Sequence, residues 1–419
     1  MSRIAAVVTG LGPVTAVGCG GRRFWEALME GRHGFSPITR CDVSRSPSKI
    51  GAEIGDFRLE DFVEHGRTMA RQLPRSVQLA LAASSLAIED ACVDLDSWDA
   101  HRIGLCVGTS FANLADTFEA RDQWLASGRA APDRAFHLFN HSAACVLSSF
   151  FDLRGPIHTI SSGCTSGLDA LGHSLRMIQL GIVDAMLVIG TDCELVQEIL
   201  AALNASGSLT THYNDVPAKA SRPFDSGRDG IVIGEGAAAL WVESESRCRQ
   251  RDAKPYARLA GYASCSAGRK RRYKPGNPEF DPRPCARALE GALSEAGWNP
   301  TEVDLVNANG SSSVHYDVVE ARALAQVFGD RFPEVRVHSI KSMLGQHGAG
   351  SSALQAVAAC LSLRHGAVPP TINHEVPDPA CGPIRVVTRP ESFGARKVLI
   401  NSTGMGGFYY SSGAFAAPD

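Results

Sequence analysis

The residue best placed to do chemistry is a cysteine in a particular setting. A strand-length run, Ile157 to Ser161, leads into Ser162-Gly163-Cys164-Thr165-Ser166-Gly167. A helical pattern follows at once, with Leu168, Leu171, Leu175 and Ile178 at spacings of three and four and Gly181 as a stop. Cys164 is therefore expected at a strand-to-helix turn, at or just before a helix N-terminus. Amide N–H groups and the positive end of the helix dipole stabilise a thiolate there, which makes the sulfur a nucleophile. The small neighbours Gly163, Ser166 and Gly167 leave room for a substrate backbone to approach. The ordinary role of a cysteine is that of a small buried apolar side chain. That reading is kept for Cys19, Cys92, Cys106, Cys145, Cys360 and the rest of the twelve cysteines. None stands in a Cys-x-x-Cys pair, so neither a zinc site nor a dithiol motif is expected.

Two other patterns invite a chemical reading. Gly10-Leu11-Gly12 opens like a dinucleotide loop, but Thr15 stands where the third glycine belongs, and no acidic residue closes a strand about 20 residues on. Nucleotide binding is not expected. Residues 268–274, Gly-Arg-Lys-Arg-Arg-Tyr-Lys, form the only dense basic run. Such a run is ordinarily a solvated loop; the sharper reading is a docking site for an acidic partner.

The elements that must position Cys164 alternate along the chain. Ile4 to Val8 reads as a strand, Gly10 to Gly12 as a tight turn, and Ser76 to Cys92 as an Ala-rich helix. Strands at Ile103 to Val107, Ile157 to Ile160 and Ala185 to Ile189 bracket the Cys164 helix. The second half repeats the theme: strands at Val303 to Val306, Val335 to Ile340 and Val398 to Asn401, and a helix from Ser352 to Leu363. This order implies an α/β protein with parallel sheets and two related halves. The junction is expected around 245–275, where charge rises and periodicity fades.

Composition sets the outer limits. At 419 residues and 44% hydrophobic, the chain fits two domains or one large duplicated unit. With 41 basic and 44 acidic residues, neither nucleic acid nor a membrane surface is expected as the main partner. The N-terminus reads as a first strand rather than a secretory signal, and no apolar stretch approaches the ~20 residues of a membrane span. A cytoplasmic protein with reduced thiols is expected.

Five ordered segments carry a family resemblance that spans nearly the whole chain: GCTSGLDALG around Cys164, VVTGLGPVTAVG at 7–18, SRPFDSGRDGIVIGEGA at 221–237, SIKSMLG at 339–345 and NSTGMGGF at 401–408. They resemble the β-ketoacyl-acyl-carrier-protein synthases, or ketosynthases, most of all the α-type subunits of aromatic polyketide systems. The resemblance implies a thiolase-type fold, two related α/β halves in five αβαβα layers, with residues 1–250 carrying the nucleophile and 251–419 carrying the remaining site positions. It implies an acyl or peptidyl carrier protein as partner, the acyl chain arriving on phosphopantetheine with no tightly bound cofactor and no metal. A homodimer paired through a strand near the nucleophile is implied, with a heterodimer as the other arrangement.

In such enzymes two histidines help to decarboxylate a malonyl unit. Here Asn309, in Val306-Asn307-Ala308-Asn309-Gly310-Ser311, stands at the first position, and Gln346, after Lys341-Ser342-Met343-Leu344-Gly345, at the second. The neighbouring His347 is read as a helix-edge surface residue. Asn and Gln amides can hydrogen-bond a carbonyl or oxyanion but cannot exchange protons near neutral pH. By resemblance the oxyanion hole uses the backbone N–H groups of Cys164 and Met405, flanked by Gly404 and Gly406. Lys341 matches the family lysine, and Asp317 and Glu320 its paired acids, whose ordinary role is a buried, electrically neutral network. Gln355 replaces a glutamate. Met405 and Ile231 replace phenylalanines, so Ile231 and Phe408 are expected along a reshaped pocket. Arg271 and Arg272 fall where a loop near the entrance could meet the carrier protein. What remains is acylation of Cys164 followed by transfer or intramolecular closure; a condensing enzyme using the two amides and a non-catalytic partner subunit are the alternatives.

Overall fold

The computed structural model describes residues 4–132, 134–193, 195–268 and 281–418. Arg271 and Arg272 lie outside them. The N-terminal half is built from strand β1 (Ala6–Thr15), helix α1 (Arg75–Asp90), β2 (Ile103–Gly108), β3 (Ile157–Ile160), α2 (Ser166–Gln179), β4 (Ala185–Cys193) and β5 (Ile233–Ser244). The C-terminal half follows the same plan: β6 (Ala257–Ser266), α3 (Arg283–Ala296), β7 (Leu305–Asn307), α4 (Tyr316–Phe328), β8 (Arg336–His338), α5 (Ala349–His365), β9 (Lys397–Thr403) and β10 (Tyr409–Ala416).

Hydrogen bonding orders these strands β8-β7-β9-β10-β6-β1-β5-β4-β2-β3. Read outward from the β6–β1 junction, the two halves have the same order, with β6, β10, β9, β7 and β8 matching β1, β5, β4, β2 and β3. The duplication expected from element order is therefore present in the topology. The sheets are mixed rather than parallel: β2 runs parallel to β3 and β4, and β7 to β8 and β9, but β1 and β5, and likewise β6 and β10, pair antiparallel. The two halves join where Ala6–Val8 pairs antiparallel with Ala257–Leu259.

Helices α2 and α5 pack on one another and on strands of both halves, while α1 covers β1, β5 and β4 and α3 covers β6, β10 and β9. This is the five-layer thiolase-type arrangement, with one apolar core around the central helices and one under the outer helices of each half. Every residue of α5 from Ala349 to Leu363 is buried. A helix enclosed on all sides has no polar face to mark its ends, so it extends beyond the stretch expected from periodicity.

Two local expectations are overturned. Gly10 to Gly12 is not a turn, because β1 runs straight through it with a bulge after Val8. Gly12 is there for close packing, since a Cβ at that position would sit 1.9 Å from the Ala83 carbonyl oxygen of α1. Periodicity does not fade at 257–266 either; Ala257, Leu259 and Gly261 alternate inward along β6, but residues this small give a weak hydrophobic signal.

The buried His338 of β8 makes a pH prediction. Neither ring nitrogen has a hydrogen-bond partner among the described residues, and burial pushes its pKa down to about 3. The unfolded chain thus takes up this proton first, near pH 6.5, and stability is lost as pH falls toward the folded value. The slope is up to ~1.4 kcal/mol per pH unit. His338→Leu removes that contribution, so its stability relative to wild type should rise by this slope between pH 6 and 4.5 in urea titrations. A difference independent of pH would mean the folded imidazole is not held neutral.

Candidate active site

Cys164 lies between the end of β3 and the first turn of α2, and only 6% of it is exposed. Gly163 turns the chain with φ 73°, a left-handed conformation that favours glycine. The Ser166 hydroxyl accepts the Ser162 N–H at 2.8 Å and donates to the Gly163 carbonyl at 2.6 Å, bracing the bend. Asp169, buried in the same helical turn, accepts from Thr165 Oγ1 at 2.9 Å and from the Tyr262 hydroxyl at 2.6 Å. It also accepts from Ser162 and Ser411. The elbow is thus tied to both halves of the fold. Elsewhere burial works against reactivity: it pushes the Cys106 and Cys381 thiols up to about 12 and Cys248 to about 11, and raises Cys193 and Cys360 too.

Asn309, 3% exposed, sits just beyond β7. Its Oδ1 accepts from Lys341 Nζ at 2.6 Å and from the Thr403 N–H at 3.1 Å. Both partners are donors, which fixes the orientation of the amide and leaves its NH₂ as the group facing the cavity. Asp317 and Glu320 reach back from α4 to hold the same loop. Glu320 accepts from the N–H groups of Asn309 and Gly310 at 2.7 and 2.8 Å and from Asn401 Nδ2 at 2.6 Å. Asp317 accepts from the Ser311 and Phe224 N–H groups at 3.0 and 2.9 Å. Burial raises both carboxyls, Glu320 to about 7. The buried cations Lys341 and Arg228 offset them, and Arg228 Nε lies 3.9 Å from Asp317. Both acids are thus taken up by the backbone of this loop. Gln355 donates its NH₂ to the carbonyls of Ala308 and Asn401, each at 2.9 Å, a double donation that a carboxylate could not make.

Gln346 is held by a strand-like bridge to β5. Its N–H donates to the Val232 carbonyl and its carbonyl accepts from the Gly234 N–H, both at 2.8 Å. Neighbouring residues in extended chain face opposite ways. Gln346 accordingly faces the Cys164 cavity, while His347 packs against Gly234 and Gly236. His347 is not the surface residue expected; it is 1% exposed, and burial holds it neutral with a pKa near 4.

Cys164, Ile231, Asn309, Gln346, Gly404 and Met405 line one small cavity of about 30 Å³. Beyond it an open cleft of about 250 Å³ shares Ser208, Ser313, Tyr316 and Met405 and includes Gly406. The Met405 N–H has no acceptor among the described residues. Phe408 is not on the cavity wall: it is 42% exposed, and its ring lies over Gly406, where a Cβ would come within 2.5 Å of it. Tyr316 was not foreseen. Its hydroxyl accepts the Gly406 N–H at 2.8 Å, linking the start of α4 to the Met405 loop. The only hint was its place next to Asp317. Ser208, in a loop distant in sequence, gave no signal.

Residues 3–247 match the family described as Beta-ketoacyl synthase, N-terminal domain, and residues 256–375 match Beta-ketoacyl synthase, C-terminal domain. The chain belongs to the β-ketoacyl synthase family. The 3-oxoacyl-(acyl-carrier-protein) synthase 2 of Synechocystis sp. is 35% identical over 404 residues, 96% of this chain and 95% of that protein. A putative polyketide beta-ketoacyl synthase 1 of Streptomyces halstedii is also 35% identical, over 424 residues and 97% of each chain. Among solved structures, a type II polyketide ketosynthase in complex with its acyl-carrier protein and bound to the hexaketide superposes with a TM-score of 0.90 at 28% identity, covering 100% of both chains.

Within this β-ketoacyl synthase, no histidine lines the Cys164 cavity among the described residues. The cavity offers the Cys164 thiol and hydrogen-bond donors, namely the Asn309 NH₂ and the Met405 N–H. A preorganised donor of this kind stabilises a developing oxyanion by roughly 3–4 kcal/mol. Neither Asn309 nor Gln346 can accept a proton near neutral pH.

Proposed function

We propose that this β-ketoacyl synthase takes an acyl chain from a carrier-protein thioester onto Cys164 and passes it on without decarboxylative elongation. The sulfur attacks the thioester carbon, the bond to the phosphopantetheine sulfur breaks, and that sulfur leaves with the proton Cys164 loses. The exchange needs no net acid or base. Release is acyl transfer to another nucleophile or closure of the chain on itself, of aldol or lactone type, in polyketide or mixed polyketide–peptide metabolism. The observation that carries this reading is the pair of amides on the cavity wall where a proton-transferring side chain would be required. The reaction calls for no tightly bound cofactor, and no cluster of three metal-ligating side chains occurs among the described residues.

A second reading, ordinary condensation with Asn309 and Gln346 as oxyanion donors, is favoured by the 35% identity to a 3-oxoacyl synthase. One assay separates the two. The protein is loaded from an acyl carrier protein, then given malonyl carrier protein, and both the intact mass and the released products are followed. An acyl adduct that persists with malonyl present supports the first reading; a β-ketoacyl product overturns it.

We further infer a cytoplasmic setting and a second ketosynthase-type chain, identical or related, as partner. No helix among the described residues is long and apolar enough to cross a membrane. Strand β3 ends the sheet, Ile157 on it is exposed, and Phe136, Phe139 and Phe150 are exposed around an adjoining cleft. A solution mass of a 44.5 kDa monomer would count against the paired assembly.

A further inference from the structure

We infer that the acceptor of the acyl chain is an amine and that the product is an amide. The inference rests on acylation of Cys164 as proposed above and adds the chemical class of the second substrate.

Three observations bear on the acceptor. The first is the lack of a base. Asn309 and Gln346 cannot take a proton, Asp317 and Glu320 are occupied by backbone N–H groups, and His347 faces away behind the Gly234 strand. A carbon acid or an alcohol needs its proton removed as it attacks, whereas a neutral amine attacks with a free lone pair. The second is an unmet hydrogen bond. Gln346 lines the cavity, is 5% exposed, and its side-chain oxygen is buried with no donor among the described residues. An amine brings N–H donors to it; a malonyl group brings none. The third is charge. No lysine or arginine is among the described residues that line the outer cleft, and its one acid, Asp229, is taken up by the Thr210 hydroxyl and the Thr211 and His212 N–H groups. Such a mouth offers no cation to hold the carboxylate of a malonyl group.

The step balances without a further reagent. The amine nitrogen forms a bond to the thioester carbon, and the resulting oxyanion is held by the Asn309 NH₂ and the Met405 N–H. The carbon–sulfur bond to Cys164 then breaks, the thiolate leaves, and it takes the proton that the nitrogen loses. The amide departs and the thiol is restored. His315, exposed at the rim of the outer cleft, lies outside the Cys164 cavity and is not required.

The test uses the full chain loaded with a hexanoyl group, the adduct confirmed by intact mass and then chased with propylamine, propanol or malonyl carrier protein. A free hexanoyl thioester under the same conditions gives the intrinsic rates. The expected result is at least a hundredfold acceleration of amide formation over the free thioester, with no acceleration for the alcohol. The rate should rise with pH through the basicity of the amine used, and shift when a less basic amine replaces it. Asn309→Ala should lose about tenfold or more of the acceleration with propylamine. A second donor, an ω-aminoacyl carrier protein, locates the amine: faster lactam release than from the free thioester places it on the chain itself. Discharge by amine at the free-thioester rate, or faster discharge by propanol or malonyl carrier protein, overturns the inference while leaving acylation standing. Failure to load any acyl group overturns both.

Discussion

Cys164→Ala is expected to abolish acyl loading, with adduct formation falling by ~10⁴-fold or more, the scale on which removal of a catalytic nucleophile acts. The transferred chain is covalently attached to this sulfur in the proposed step, so no hydrogen-bonding residue can substitute for it. The remaining cysteines offer no replacement at this position. Those in the core are held as thiols by burial, and the exposed Cys92 and Cys145 lie outside the Cys164 cavity. The fold should survive, because Ser166, Thr165 and Asp169 brace the elbow on both sides of Cys164. Thermal unfolding of the variant should stay close to wild type while loading, followed by intact mass, disappears. An adduct of undiminished rate in the variant, mapped by peptide mass to another cysteine, would remove Cys164 from the mechanism.

The largest effect on stability is expected at Asp192, fully buried at the end of β4. Its carboxylate accepts from Thr109 Oγ1 at 2.8 Å and from the N–H groups of Ser110, Phe111 and Ala349, at 2.9–3.0 Å for the first two and 2.6 Å for the last. The last is the first residue of α5, where a negative charge also meets the positive end of the helix dipole. Asp192→Ala leaves three N–H groups without that acceptor, the one of Ala349 buried and those of Ser110 and Phe111 part-buried, each costing about 1–3 kcal/mol where water cannot reach it. A loss of roughly 3–6 kcal/mol is expected in urea titrations, with Asp192→Asn intermediate because it keeps one acceptor oxygen. A loss below 1 kcal/mol for the alanine variant would mean that water satisfies these groups.

Much of this could be read from the chain alone, for physical reasons that differ by residue. Cys164 was legible because its setting is local: strand, small residues, helix, all within a few positions. Asn309, Gln346 and Lys341 were legible as positions in ordered motifs, but the Lys341–Asn309 contact that orients the amide joins residues 32 apart and had no local trace. Asp192 and Asp169 were missed entirely, since their partners come from as far as 157 and 242 residues away. Strand β6 was read as a fading junction because alanine, glycine and serine pack a sheet tightly without announcing an apolar face. The burial of His347 has no local trace, because it follows from the extended backbone at Gln346 and its bridge to Ile233, more than 100 residues away.

That bridge has a consequence for how such a site can change through descent. With the Gln346 backbone bonded on both sides to β5, inward and outward facing are decided by parity along the chain. An imidazole already stands one position away, yet no gradual adjustment can bring it in, because sliding by one residue would turn every neighbour to the wrong side. Replacement at a position that already faces inward, Gln346 or Asn309, would put a proton carrier on the cavity wall by a change confined to one codon. A lineage could pass between proton-transferring and proton-inert chemistry in that single step, with the scaffold around it unaltered.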